Sequence, residues 1–205
     1  MSHITRRELM ARLGVIAGTA VVGLASPISA ATRARAQVAA GEALMSLTPA
    51  EAEIVRAVVA RLIPSDQNGP GALEARADRY IDRALAGALK ASRSVYSTGL
   101  ADINTRAQSL KGNAFAKLPA ADQDAVLSAV QQGSAQFFNL IRTHTIQGTF
   151  GDPFYGGNKD FVGWDLIGYP GARTAVSAEM QRLDRKPEPS RKSAYDYGMF
   201  SKAEI

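Results

Sequence analysis

Residues 47–64 read Leu-Thr-Pro-Ala-Glu-Ala-Glu-Ile-Val-Arg-Ala-Val-Val-Ala-Arg-Leu-Ile-Pro, and the start of this run decides the fold class. Thr48 followed three residues later by Glu51 is a capping box, Pro49 occupies the first helical position, and Leu47 can staple against the first turn. Ile54, Val55, Val58, Val59, Leu62 and Ile63 then recur at helical spacing, so a helix is predicted to Ile63, where Pro64 stops it. The turn-forming run Pro64–Gly71 follows.

Working outward, the same periodicity predicts helices over about 73–90 (Ala77, Tyr80, Ile81, Ala84, Leu85, Leu89), 95–110 (Leu100, Ile103, Ala107, Leu110), 119–132 (Val126, Leu127, Val130) and 134–147 (Phe137, Phe138, Leu140, Ile141, Thr145, Ile146). A further short helix is expected over 173–184, with Val176 and Met180 inward. No segment alternates with period two and no strand pair flanks an Asn-Gly turn. The expectation is an all-α protein, a small irregular helical bundle over residues 37–184, with a long glycine- and aromatic-rich loop and an extended tail at 185–205.

That loop, residues 144–171, holds seven glycines and two prolines beside Phe150, Phe154, Tyr155, Phe161, Trp164, Ile167 and Tyr169. Large apolar groups lose roughly 1.5–3 kcal/mol each when left wet, so the loop must pack under its own domain or against another protein. Trp164 is expected to face inward and fix the loop, with Phe154, Tyr155 and Tyr169 as interface candidates. Trp164 also stands in the candidate partner-binding set, which His144, Asp152, Gly156, Gly157, Asn158 and Pro170 complete; for His144 the commoner role of a lone histidine, a local hydrogen bond, is the first expectation and an interface contact the second. Gly156-Gly157-Asn158 has the glycines of a phosphate cradle but lacks the lysine and helix start of a nucleotide loop, which favours a plain turn.

The charge excludes a nucleic-acid surface. Five of the 24 basic and one of the 19 acidic residues lie in 1–36, which leaves 19 against 18 in the body; a phosphate-binding face needs clustered cations. The chain has no cysteine and two histidines, so thiolate ligation, thiol nucleophiles and the common zinc and iron sites are not available. Catalytic residues, cofactor and metal ligands are therefore all expected to be absent from this chain. A second reading keeps a freestanding enzyme or metal-dependent binding protein in view, with His144 and the loop carboxylates Asp152, Asp160 and Asp165 as its site.

Residues 1–36 have the order of a twin-arginine signal: Arg6-Arg7, then the apolar run Gly14–Ala25, twelve residues long. That is too short for a hydrocarbon core needing about 20 residues but suits a signal h-region. Ala34 and Ala36 are small residues at the two positions a signal peptidase reads, and Ser29-Ala30-Ala31 is a second candidate. Export in the folded state through the twin-arginine route is the expectation. Residues 37–46 read as a loose lead-in, and Tyr195, Tyr197 and Phe200 give the polar tail side chains that could lie along a partner.

The runs Gly151-Asp152-Pro153-Phe154-Tyr155-Gly156-Gly157-Asn158 and Gly163-Trp164-Asp165-Leu166-Ile167-Gly168-Tyr169-Pro170-Gly171 resemble the subunit 3 family of membrane-associated gluconate 2-dehydrogenase. So do Leu47–Glu51, Arg61–Pro64, Gly69–Ala72, Phe137-Phe138 and Arg142–Thr145, which carries the resemblance over about residues 47–171. It implies a non-catalytic small subunit that helps a large FAD-dependent dehydrogenase of the glucose-methanol-choline type to fold and carries it to the periplasm. It further implies a cytochrome c subunit with haem c in many such complexes, membrane contact only through the complex, and a substrate among the sugars and polyols. Glu8 and Leu9 depart from the commoner phenylalanine after the arginine pair, and the tail beyond about Asp184 has no counterpart.

Overall fold

The computed structural model describes residues 43–199. The expected export segment, with Arg6, Arg7, Ala34 and Ala36, lies outside the described residues, as does Phe200. Among the described residues there are six α-helices: α1 Pro49–Leu62, α2 Ala77–Ala86, α3 Arg93–Lys111, α4 Ala120–Gly133, α5 Ala135–Phe150 and the short α6 Val162–Leu166. Among the described residues no strand forms, and one isolated bridge joins Asp66 to Gly69. The all-α bundle is thus the observed architecture.

α1 begins as its sequence requires. Thr48 Oγ1 accepts from Glu51 N at 3.3 Å while the Glu51 carboxylate accepts from Thr48 N at 2.8 Å, which satisfies two of the helix's orphan donors. The same carboxylate takes two guanidinium bonds from Arg93, at 2.7 and 3.0 Å, at the start of α3. Val55, Val58 and Val59 are fully buried against Ile81, Leu85, Tyr96, Leu100, Ile103, Phe115, Val126, Val130 and Ile141 in one continuous core. α1 lies against α2, α3, α4 and α5, α2 packs along α5, and α4 bridges α3 and α5.

Four expectations are corrected. Residues 73–76 are turns, and α2 starts only at Ala77, because Arg76 takes a left-handed φ of 59° while Ala72 and Gly71 are tied back to Ile63 O and Ser65 Oγ. Leu110 and Ile146 lie on solvent faces. No α-helix forms over 173–184: the segment holds one turn, Glu179–Gln181, and Val176 and Met180 are exposed. The lead-in is not loose at its end, since the buried Asp82 carboxylate accepts from Met45, Ser46 and Leu47 backbone N–H groups at 2.8, 2.9 and 2.8 Å.

Candidate functional site

α5 runs through Gly148 to Phe150, beyond its expected end at Gln147, and delivers the chain into the aromatic loop. The loop is built around Asn158, which is completely buried. Its N–H donates to Gly148 O at 2.7 Å, its Nδ2 to Gly151 O at 2.9 Å, and its Oδ1 accepts from Gly163 N at 2.8 Å. One side chain thereby ties the end of α5 to the start of α6. Both neighbours of this knot are glycines for reasons of space: a Cβ on Gly157 would stand 2.1 Å from Gly148 O, and one on Gly163 would stand 1.8 Å from Thr149 O. Gly156-Gly157-Asn158 is therefore a packed turn, with Gly156 at φ 94° supplying the reversal.

Trp164 packs inward as expected, 6% exposed, with Nε1 donating to Phe150 O at 2.9 Å, so the indole supports the loop from within and is not itself a surface for a partner. Its indole is flanked by Tyr169 (5.0 Å between centroids, edge-on) and Phe161 (5.4 Å). Phe154, Tyr155, Ile167 and Tyr169 remain on the surface, and Pro170 is half-buried beside them. Asp152 caps the turn Pro153–Tyr155 through Phe154 N at 2.9 Å. Its carboxylate also accepts from Ser193 Oγ at 2.6 Å and Ala194 N at 2.8 Å.

His144 is elsewhere. It is 5% exposed, and its Nδ1 meets Tyr96 Oη at 2.9 Å, the two ring planes lying within 2° of parallel. Tyr96 in turn stands edge-on to Phe137 at 5.6 Å. A side chain held this way offers a partner no surface, so direct contact through His144 is not what the described structure presents. Burial pushes the imidazole below its ordinary pKa, and burial, then the Tyr80 phenol, pushes the Tyr96 hydroxyl well above its own; the neutral form of each ring is favoured, and one hydrogen bond joins them.

Protonation of His144 is thus easier in the unfolded chain than in the fold, and stability is lost as pH falls through about 6.5 toward the lower folded value. His144→Asn, which keeps an acceptor near the Nδ1 position, is expected to shrink the drop in Tm between about pH 7.5 and 5.5. An unchanged drop, followed by circular dichroism in both variants, would refute the assignment.

The loop carboxylates do not converge on a cation. Asp152 is spent on the tail, Asp165 pairs with Arg191 at 2.8 Å, and Asp160 faces Lys159 at 3.8 Å. Among the described residues no group of three or more His, Cys, Asp or Glu side chains is placed to hold a metal ion, and His144 is not brought to these carboxylates.

Two contributions were missed. Tyr195, read only as a tail side chain that could lie along a partner, stacks on Phe154 at 3.9 Å and meets Tyr155 Oη through its own at 2.6 Å; no periodicity sets that contact. Asp82 anchors the lead-in, and its signal was present, an aspartate beside Ile81 on the apolar stripe of α2.

The model of the gluconate 2-dehydrogenase subunit 3 family matches residues 49–171, more than half of the chain. The match opens at the first residue of α1 and closes at Gly171, where the aromatic loop ends. No match was found among curated proteins or solved structures.

Proposed function

The chain belongs to the gluconate 2-dehydrogenase subunit 3 family, and from that premise we propose that it is the small, non-catalytic subunit of a periplasmic FAD-dependent sugar or polyol dehydrogenase. The observation that carries the reading is the match itself, which places the chain among subunits of a multi-subunit dehydrogenase. FAD belongs to the large subunit, and no residue here is assigned to hold it. Haem c, where the assembly has it, belongs to a third, cytochrome subunit.

The loop gives the reading a physical basis. Its interior is fixed by Asn158 and Trp164, so Phe154, Tyr155, Ile167 and Tyr169 are held outward at little further cost in conformational entropy. Rigid aromatic side chains of this kind dominate interface energetics. The twin-arginine pattern at Arg6-Arg7 supplies the second half: a subunit that folds with its partner before translocation carries the partner across.

Co-expression tests this. With Arg6→Lys and Arg7→Lys together, both subunits are expected to stay in the cytoplasmic fraction, with periplasmic dehydrogenase activity lost. A large subunit exported as before would refute the carrier role.

A further inference from the structure

Beyond Gly171 the chain leaves the bundle and returns. Residues 174–186 are exposed, with Leu183 entirely so, and the excursion is closed at its base where Arg173 donates to Glu188 O. The returning segment then lies on the aromatic loop. Ser190 N donates to Pro170 O at 2.8 Å, Ser193 and Ala194 bond Asp152, and Tyr197 Oη donates to Ala172 O at 2.8 Å. Tyr195 covers one face of Phe154 and closes on Tyr155.

What the segment touches is the strained part of the loop. Asn158, Asp160 and Phe161 have φ of 42°, 54° and 64°, left-handed values that non-glycine residues hold only where surrounding contacts over-determine them. Asn158 is fixed from within, by its own buried amide. Asp160 and Phe161 are half-buried or exposed and are met from outside by Arg191, which donates to Asp160 O at 3.0 Å, lies over the Phe161 ring at 5.8 Å and pairs with Asp165. The strained backbone and the outward rings are thus braced by one strand of chain, which lies outside the family match.

We propose that residues 189–197 are a strap that locks the aromatic loop in its strained form, and that Tyr195, seated between Phe154 and Tyr155, completes the face offered to the large dehydrogenase subunit. The second clause rests on the function proposed above; the first does not. The strap spares the large subunit the entropy of ordering the loop.

Amide hydrogen exchange on the full chain tests the lock. In Arg191→Ala/Tyr195→Ala, which removes the contacts to Asp160, Phe161 and Asp165 together with those to Phe154 and Tyr155, exchange over residues 153–163 is expected to rise at least about tenfold while α1–α5 keep their protection. Leu183→Gln, in the exposed excursion, should change neither. Unchanged exchange in the loop overturns the proposal, and so does collapse of the whole bundle, since the strap would then be part of the core; Tyr195→Phe, which removes only the phenol contact, guards against a gross folding defect.

Co-purification of the large subunit with a tagged small subunit tests the face. Yield should fall at least about fivefold for the double variant, and full recovery of the large subunit on a loosened loop overturns Tyr195's part in it. Should the unaltered chain retain no flavoprotein at all, the proposed function fails, while the exchange result still decides the strap.

Discussion

Gly163→Ala is expected to cost about 3 kcal/mol and to lower Tm by roughly 6–12 °C, at the upper end of what overpacking does in a close-packed interior. The reason is distance. The added methyl would stand 1.8 Å from Thr149 O and 3.1 Å from the Phe150 ring, and the first of these is backbone, which cannot rotate away. Relief requires α6 to lift from the end of α5, which would break the Gly163 N–H bond to Asn158 and draw Trp164 from its seat on Phe150 O.

Gly112→Ala is the informative contrast. Its φ is 68° at the end of α3, but nothing lies within 4 Å of a Cβ there, so only the left-handed penalty of about 1 kcal/mol applies. Thermal unfolding of the two variants separates lack of space from lack of conformational freedom. Equal melting points would show that the α5–α6 approach is looser than the structure has it.

The bundle was legible because its signals are local. Capping at Thr48, a proline stop at Pro64, left-handed Gly112 after α3 and Pro119 before α4 each punctuate one helix, and the apolar stripes between them needed nothing from elsewhere in the chain. The failures share a cause, tertiary contact overriding propensity. Ala72–Arg76 is a good helical sequence, yet Ala72 N is claimed by Ile63 O and Arg76 turns left-handed. Gly148 looked like a helix end, whereas it lets α5 lie close against α2: its missing Cβ would meet Ala77 Cα at 2.9 Å. Residues 173–184 have helical periodicity but no apolar surface to receive Val176 and Met180, and periodicity without a partner face does not make a helix.

The loop divides along the same line. That Trp164 would turn inward followed from its size and from the need to bury it. That Asn158 would be the knot, and that Tyr195 would complete the outer face, depends on residues far apart in sequence meeting in space. His144 makes the local hydrogen bond expected of a lone imidazole, to Tyr96, and only its alternative role at the interface fails; three residues on from Ile141, it shares the buried stripe of α5.

Asp82→Ala is expected to cost about 3–4 kcal/mol, a fall of about 10 °C in Tm, because one carboxylate accepts three backbone N–H groups and bonds to a charged acceptor are worth about 1.5–3 kcal/mol each. The three do not add in full. Met45 and Ser46 are partly open and can turn to water, whereas the Leu47 N–H bond is buried and has no such recourse. Leu47 itself is 5% exposed and belongs to the core, so releasing it also uncovers the first turn of α1.

Asp82→Asn separates charge from geometry. An amide can keep its carbonyl toward Ser46 and Leu47 but must then point NH₂ at the Met45 N–H, donor against donor, and about half the loss is expected. Limited proteolysis locates the effect: cleavage within 43–48 should quicken in both variants before the helices are cut, because the bonds lost join the lead-in to α2 and none of the other helices. If Asp82→Asn were as damaging as Asp82→Ala, the negative charge would outweigh the acceptor count in anchoring the residues on which α1 begins.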